Sequence, residues 1–158
     1  MTRSSSASTA HMTGRDGPEA ARMQGFLRRT AVALAVGFGA HAMDHVHRGM
    51  SAATMVVMIG GGAEALSIAI AVFMVLTRRA WAAQVAIAVG FGTALASAYG
   101  HLLPTFLPGL QDSFVSPPHS GVTWFSWISL IAAMSAGMLF GFAGLRTIRH
   151  RHTSAPPR

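Results

Sequence analysis

The segment Phe26–Gly49, FLRRTAVALAVGFGAHAMDHVHRG, opens near a pair of arginines, runs through an apolar stretch and closes on three of the chain's eight histidines. An α-helix rises 1.5 Å per residue, so about twenty apolar residues cross a hydrocarbon layer of ~30 Å. Three more apolar segments of that kind follow, and the spans read as residues 26–46, 52–76, 80–103 and 122–145. Hydrophobic residues make up 51% of the chain and charged ones 11%, and the mean hydropathy is +0.44. A water-soluble bundle of four helices would carry charged outer faces, which these segments lack. The expected fold is all-α, an integral membrane four-helix bundle with the lipid bilayer as its surroundings.

A net charge of +7 and a pI near 11.9 suggest a nucleic-acid ligand until the basic residues are located. All twelve are arginine. Apart from Arg48 they fall between the N-terminus and Arg29, in the turn at Arg78 and Arg79, or from Arg146 onward. Arginines flanking apolar spans follow membrane topology and collect on the cytoplasmic side, so no nucleic-acid partner is expected. Both termini are therefore assigned to the cytoplasm, the membrane to the plasma membrane, and the histidine-rich end of the first span to the outside. The chain has no cysteine, which excludes disulfides and thiolate metal ligands.

Residues 1–24, rich in Ser, Thr, Ala, Gly and Arg, read as a disordered cytoplasmic tail, and residues 147–158 as a basic, unstructured one. A competing reading makes the first span a cleaved signal, with Arg28-Arg29, an apolar core and Ala40-His41-Ala42 as a small-x-small motif. The long polar lead-in and the three later spans weigh against it. The one long connection is the outer loop 104–121, punctuated by Pro104, Pro108, Pro117 and Pro118, after which Trp124 and Trp127 serve as interfacial anchors. Small residues recur at helical spacing, as in Gly90, Ser97 and Gly100 or Ala133, Gly137, Gly141 and Gly144. Such stripes let helices approach closely within one chain, or, through Gly137 and Gly141, in a homodimer.

Successive helical residues turn by about 100°, so His41, Asp44, His45 and Arg48 line one side of the first span while His47 points elsewhere. Gly90, Ser97 and His101 share a face of the third span, and Gly60, Glu64, Ser67 and Ala71 a face of the second. Lipid penalises exposed polar faces, so these three are expected to meet in the bundle interior. Counted inward from the outer helix ends, His45 and His101 lie about 5 Å deep, His41 about 10 Å, and Glu64 about 18 Å, near the midplane.

His41 and His45, spaced i and i+4, can offer two imidazole nitrogens to one metal ion, with His101 as a third ligand and Asp44 as a ligand or an orienting carboxylate. Asp112 and His119 of the outer loop are available to cover the site. Zinc accepts this donor set, and Met43, Met50, Met55 and Met58 on the outer half add a thioether argument for copper. Haem held between His101 and His41 or His45 is a further option. Glu64 reads either as a buried acid hydrogen-bonded between helices or as a proton relay to the histidines.

Three classes of function follow: a metal-binding membrane protein, an accessory subunit of a larger membrane complex without its own cofactor, or a proton-coupled carrier using Glu64. The inner halves of the spans offer few polar side chains, which ranks the carrier last. No serine nucleophile with a paired base, phosphate-cradling loop or paired-carboxylate motif is visible, so the sequence assigns no catalytic activity.

Overall fold

A computed structural model of the protein describes residues 16–49, 54–107, 109–116 and 121–153. Four helices account for most of them: α1 (Asp16–Arg48), α2 (Met55–Leu76), α3 (Ala82–Ser97) and α4 (Trp124–Thr153). A π-helical turn, Ala98–Leu102, continues α3. No strand occurs among the described residues. Three helices are long and apolar enough to cross a membrane: α2, α3 with its π turn, and α4. The first helix, although 33 residues long, is not one of them. Arg28 and Arg29 near one end of its apolar stretch, and the cluster from His41 to Arg48 at the other, dilute the hydrophobic character.

α1 starts well before the expected Phe26. Pro18 sits in its first turn, where a missing N–H removes no helical bond, and Glu19 through Gln24 are mostly strong helix formers. Where disorder is expected up to residue 24, helix begins at Asp16, and the polar composition of this extension hides it from any search for apolar periodicity. The extension is anchored. Gln24 Nε2 and Arg28 Nη2 donate to the carbonyls of Val75 and Leu76, in the last turn of α2, at 3.3 and 2.9 Å. α4 likewise runs beyond Leu145 to Thr153, through part of the tail expected to be unstructured, and Arg151 Nη1 donates to Ala80 O at 3.3 Å.

α2 is capped by Thr54, whose Oγ1 accepts from Val57 N–H at 3.4 Å. It ends in a Schellman arrangement: Arg79 N–H donates to Met74 O at 2.9 Å and Arg78 N–H to Val75 O at 3.2 Å. Arg78 occupies the left-handed position, φ 55°, that glycine usually fills.

α4 is the packing hub, lying along both α1 and α3. Half of its most apolar window is buried, against 11% for α2. The α3–α4 contact brings backbone against backbone: a Cβ added at Gly90 would stand 2.5 Å from Gly141 N and 2.6 Å from Gly137 O. Gly137 and Gly141, the residues of the alternative dimer face, are buried in this contact within the chain. Leu27, Leu34, Ile68, Val75 and Phe140 fill the core among the four helices. From α2 only Ile68, Ala71 and Val75 are buried, all in its second half. Its first half stands off from α1 and α3, and a Cβ added at Gly60, Gly61 or Gly62 would meet nothing within 4 Å.

Candidate metal centre

His41 and His45 leave one face of α1, as their spacing requires, and His101 leaves the π turn of α3. That turn is where α3 runs out of donors for its own carbonyls, since Pro104 just beyond has no N–H to give. The outer loop supplies them. Asp112 N–H donates to Gly100 O at 3.1 Å and Phe114 N–H to His101 O at 2.8 Å. Gln111 Nε2 donates to Tyr99 O and Ser113 Oγ to Leu103 O, each at 2.8 Å. A segment whose prolines mark turns is thus folded inward, with Gln111, Asp112, Ser113 and Phe114 all buried.

Under this cover the three imidazoles converge. Ring centroids are 4.7 Å apart for His41 and His101, 5.0 Å for His41 and His45, and 5.4 Å for His45 and His101. One ligand nitrogen from each lies within 4.8 Å of the others, so the group could hold a metal ion. The hydrogen bonds fix one tautomer. His101 Nδ1 lies 2.8 Å from the Asp112 carbonyl oxygen, which can only accept, so the ring proton sits on Nδ1. Its Nε2 lone pair is then free toward the site and faces His41 Nε2 at 3.1 Å. An outer carbonyl orienting a ligand imidazole in this way is the usual support of a metal-bound histidine. Two nitrogens bound at 2.0–2.1 Å to one tetrahedral ion stand about 3.3 Å apart, close to the spacing found. Haem fits less well between these two rings. Nitrogens on opposite sides of one iron stand roughly 4 Å apart, twice a metal–imidazole bond, with the porphyrin passing between them.

Arg48 is the residue whose role sequence reasoning missed. Its side chain is 1% exposed and ties the site together. Nε donates to Asp44 Oδ2 at 3.0 Å, Nη1 to Asp112 Oδ1 at 3.3 Å, and Nη2 to Asp112 Oδ2. Asp44, expected as a ligand or orienting group, is fully buried and spends its other oxygen on Ser126 Oγ of α4, at 2.7 Å. It therefore braces Arg48 and α4 instead of joining the histidines. Two carboxylates against one guanidinium leave net negative charge beside three imidazoles, an environment that favours a bound cation. Nη2 also donates to His45 Nδ1 at 3.1 Å. Ligation through Nδ1 of His45 displaces that bond directly. Ligation through Nε2 moves the ring proton to Nδ1, where Asp112 Oδ2 stands 3.6 Å away.

Phe114 closes the site on the loop side. Its ring centroid lies 4.6 Å from that of His101 and 5.5 Å from that of Trp127, and the Arg48 guanidinium sits 5.1 Å from it. On the opposite side the histidines line a cavity of about 830 Å³ between α1, α2 and α3. Glu64 is on the wall of this cavity, away from the histidine group, and is half-buried. Met58 lines it as well, whereas Met43 and Met55 are exposed, so the thioethers do not converge on the imidazoles. Asp112 covers the site as expected. His119 and Met50 lie outside the described residues. Compared with known proteins, the chain matches no protein family, no curated protein and no solved structure.

Proposed function

We propose that this chain is an integral membrane four-helix bundle, with both termini in the cytoplasm, that binds a transition metal at His41, His45 and His101 near the outer face of the plasma membrane. Copper and zinc are the ions its donor set suits, and storage, delivery or electron transfer are the uses such a site serves. The observation that carries the reading is the meeting of imidazoles from α1 and the end of α3, with the His101 tautomer already fixed for ligation. The span assignment draws support from large apolar side chains left exposed on the helices, among them Val36, Leu66 and Ile131, which hydrocarbon would cover. Orientation rests on the arginine distribution. Assigning α1 as a fourth span rests on its position along α4, with its polar end turned to the site and the loop.

The test is purification in mild detergent followed by elemental analysis and an optical spectrum. One copper or zinc per chain is expected, lost in His41→Ala and His101→Ala. A Soret band would move the reading to haem. Metal-free protein that co-purifies with a larger assembly would replace it with the accessory subunit.

A further inference from the structure

A groove of about 460 Å³ runs between α1 and α2, lined by Ala35, Phe38 and Gly39 on one side and by α2 from Ala65 to Leu76 on the other. Every residue that lines it is apolar or glycine. From Ala65 to Leu76 is roughly 16 Å along α2 at 1.5 Å per residue, about one leaflet of a ~30 Å hydrocarbon layer. Phe73 and Leu76, at the end away from the histidines, are exposed. Two guanidinium groups stand at that end. Arg28 Nη2 donates to Leu76 O at 2.9 Å, and the Arg79 guanidinium lies 6.0 Å from the centre of the Phe73 ring. Phe73 and Leu76 share a face of α2, so both cations meet the last turn of one apolar strip.

The chain does not neutralise this end. It holds twelve arginines and five carboxylates. Asp44, Glu64 and Asp112 lie toward the histidines, which leaves Asp16 and Glu19 for the opposite end. Glu19 Oε1 stands 4.0 Å from His150 Nδ1, and among the described residues no ion pair engages Arg28 or Arg79. An apolar groove alone would accept any acyl chain. The charge selects the headgroup, because a guanidinium pairs with phosphate through charge-assisted hydrogen bonds. A zwitterionic lipid brings its own cation to that place and an anionic one does not. We propose that the groove between α1 and α2 binds an anionic glycerophospholipid of the cytoplasmic leaflet, one acyl chain along the groove and the phosphate at Arg28 and Arg79. The site rests on the chain spanning the membrane and is independent of the metal centre at the other end.

The test is native mass spectrometry of metal-free protein in mild detergent, titrated with dioleoylphosphatidylglycerol or dioleoylphosphatidylcholine. One phosphatidylglycerol per chain is expected, bound about tenfold more tightly than phosphatidylcholine. Arg79→Gln, at an exposed side chain with no hydrogen bond among the described residues, should weaken it about fivefold. Adding Arg28→Gln should bring it down to the affinity of phosphatidylcholine. Arg146→Gln with Arg149→Gln removes the same charge from exposed positions on α4, which does not line the groove, and should leave binding unchanged. Ala69→Phe, at an exposed residue of the groove wall, should weaken both lipids about tenfold by filling the space. Glycerol 3-phosphate, a headgroup without acyl chains, should not displace the lipid. Equal affinity for the two lipids, equal loss in the α4 variant, full affinity in Ala69→Phe, or displacement by glycerol 3-phosphate would each overturn the lipid site alone. Protein that stays monomeric without detergent would overturn it together with the spanning assignment.

Discussion

Gly90→Ala tests how the site is held. An added Cβ there would stand 2.5 Å from Gly141 N and 2.6 Å from Gly137 O, both backbone atoms of α4. Ordinary contacts of this kind begin near 3.4 Å, so the two helices must part by about 1 Å, since neither atom can rotate away. Overpacking of this sort costs roughly 1–3 kcal/mol. Gly92→Ala is the control, on the same helix with nothing within 4 Å of its Cβ. Both variants gain the same ~0.5–1 kcal/mol that Ala has over Gly inside a helix, so the difference between them isolates the collision. The assay is reversible unfolding in SDS followed by circular dichroism. Gly92→Ala should be neutral or slightly stabilised, and Gly90→Ala less stable than it by roughly 1–3 kcal/mol. His101 is carried by α3 and His41 by α1, so parting α3 from α4 also disturbs their 3.1 Å approach, and metal sites tolerate only about 0.2 Å. Metal affinity should therefore fall in Gly90→Ala and hold in Gly92→Ala. Equal midpoints for the two variants would refute the close backbone contact and the site support derived from it.

Arg48→Met removes the cation between Asp44 and Asp112 while keeping the length of the side chain; unfolding should show a loss of roughly 3–5 kcal/mol, the cost of stranding buried charge. A bound metal should raise the unfolding free energy by about 2.7 kcal/mol at a free concentration one hundred times its Kd; a thermal scan with and without chelator measures this, and His101→Ala should abolish the difference. Arg78→Gly relieves a left-handed residue at the end of α2 and should stabilise the protein by about 1 kcal/mol in the same SDS assay.

The histidine group was legible because its information is local. His41 and His45 share a helix face by spacing alone, and Pro104 dates the end of the third apolar segment to the level of His101. Asp44 shares that face too, yet sequence spacing could not say which neighbour would claim it. Arg48 is one turn further along α1 and Ser126 arrives from α4, a partner no periodicity reveals. Arg48 shares that face as well and is the one arginine on the outer side; what spacing could not show is its pairing with Asp112 from the distant loop. The loop was legible in part: Asp112 was available to cover the site and does, but what folds its neighbours inward was not visible. Its prolines mark turns, while the unfilled carbonyls of residues 99–103 that draw it inward exist only once α3 has been broken. The helical extension from Asp16 to Gln24 shows the limit of apolar pattern, because a helix held by polar side chains to the end of α2 has no hydrophobic stripe to display.

The π turn at Ala98–Leu102 has a consequence in angular terms. Such a turn holds one residue more than the α-helix would, and each residue advances a helix by about 100°. Were the same residues wound at ordinary α-helical pitch, the chain beyond the turn would be swung by about that angle and His101, inside it, by part of it, leaving every other ligand untouched. The meeting of the imidazoles is thus set by how five residues are wound as much as by their kinds.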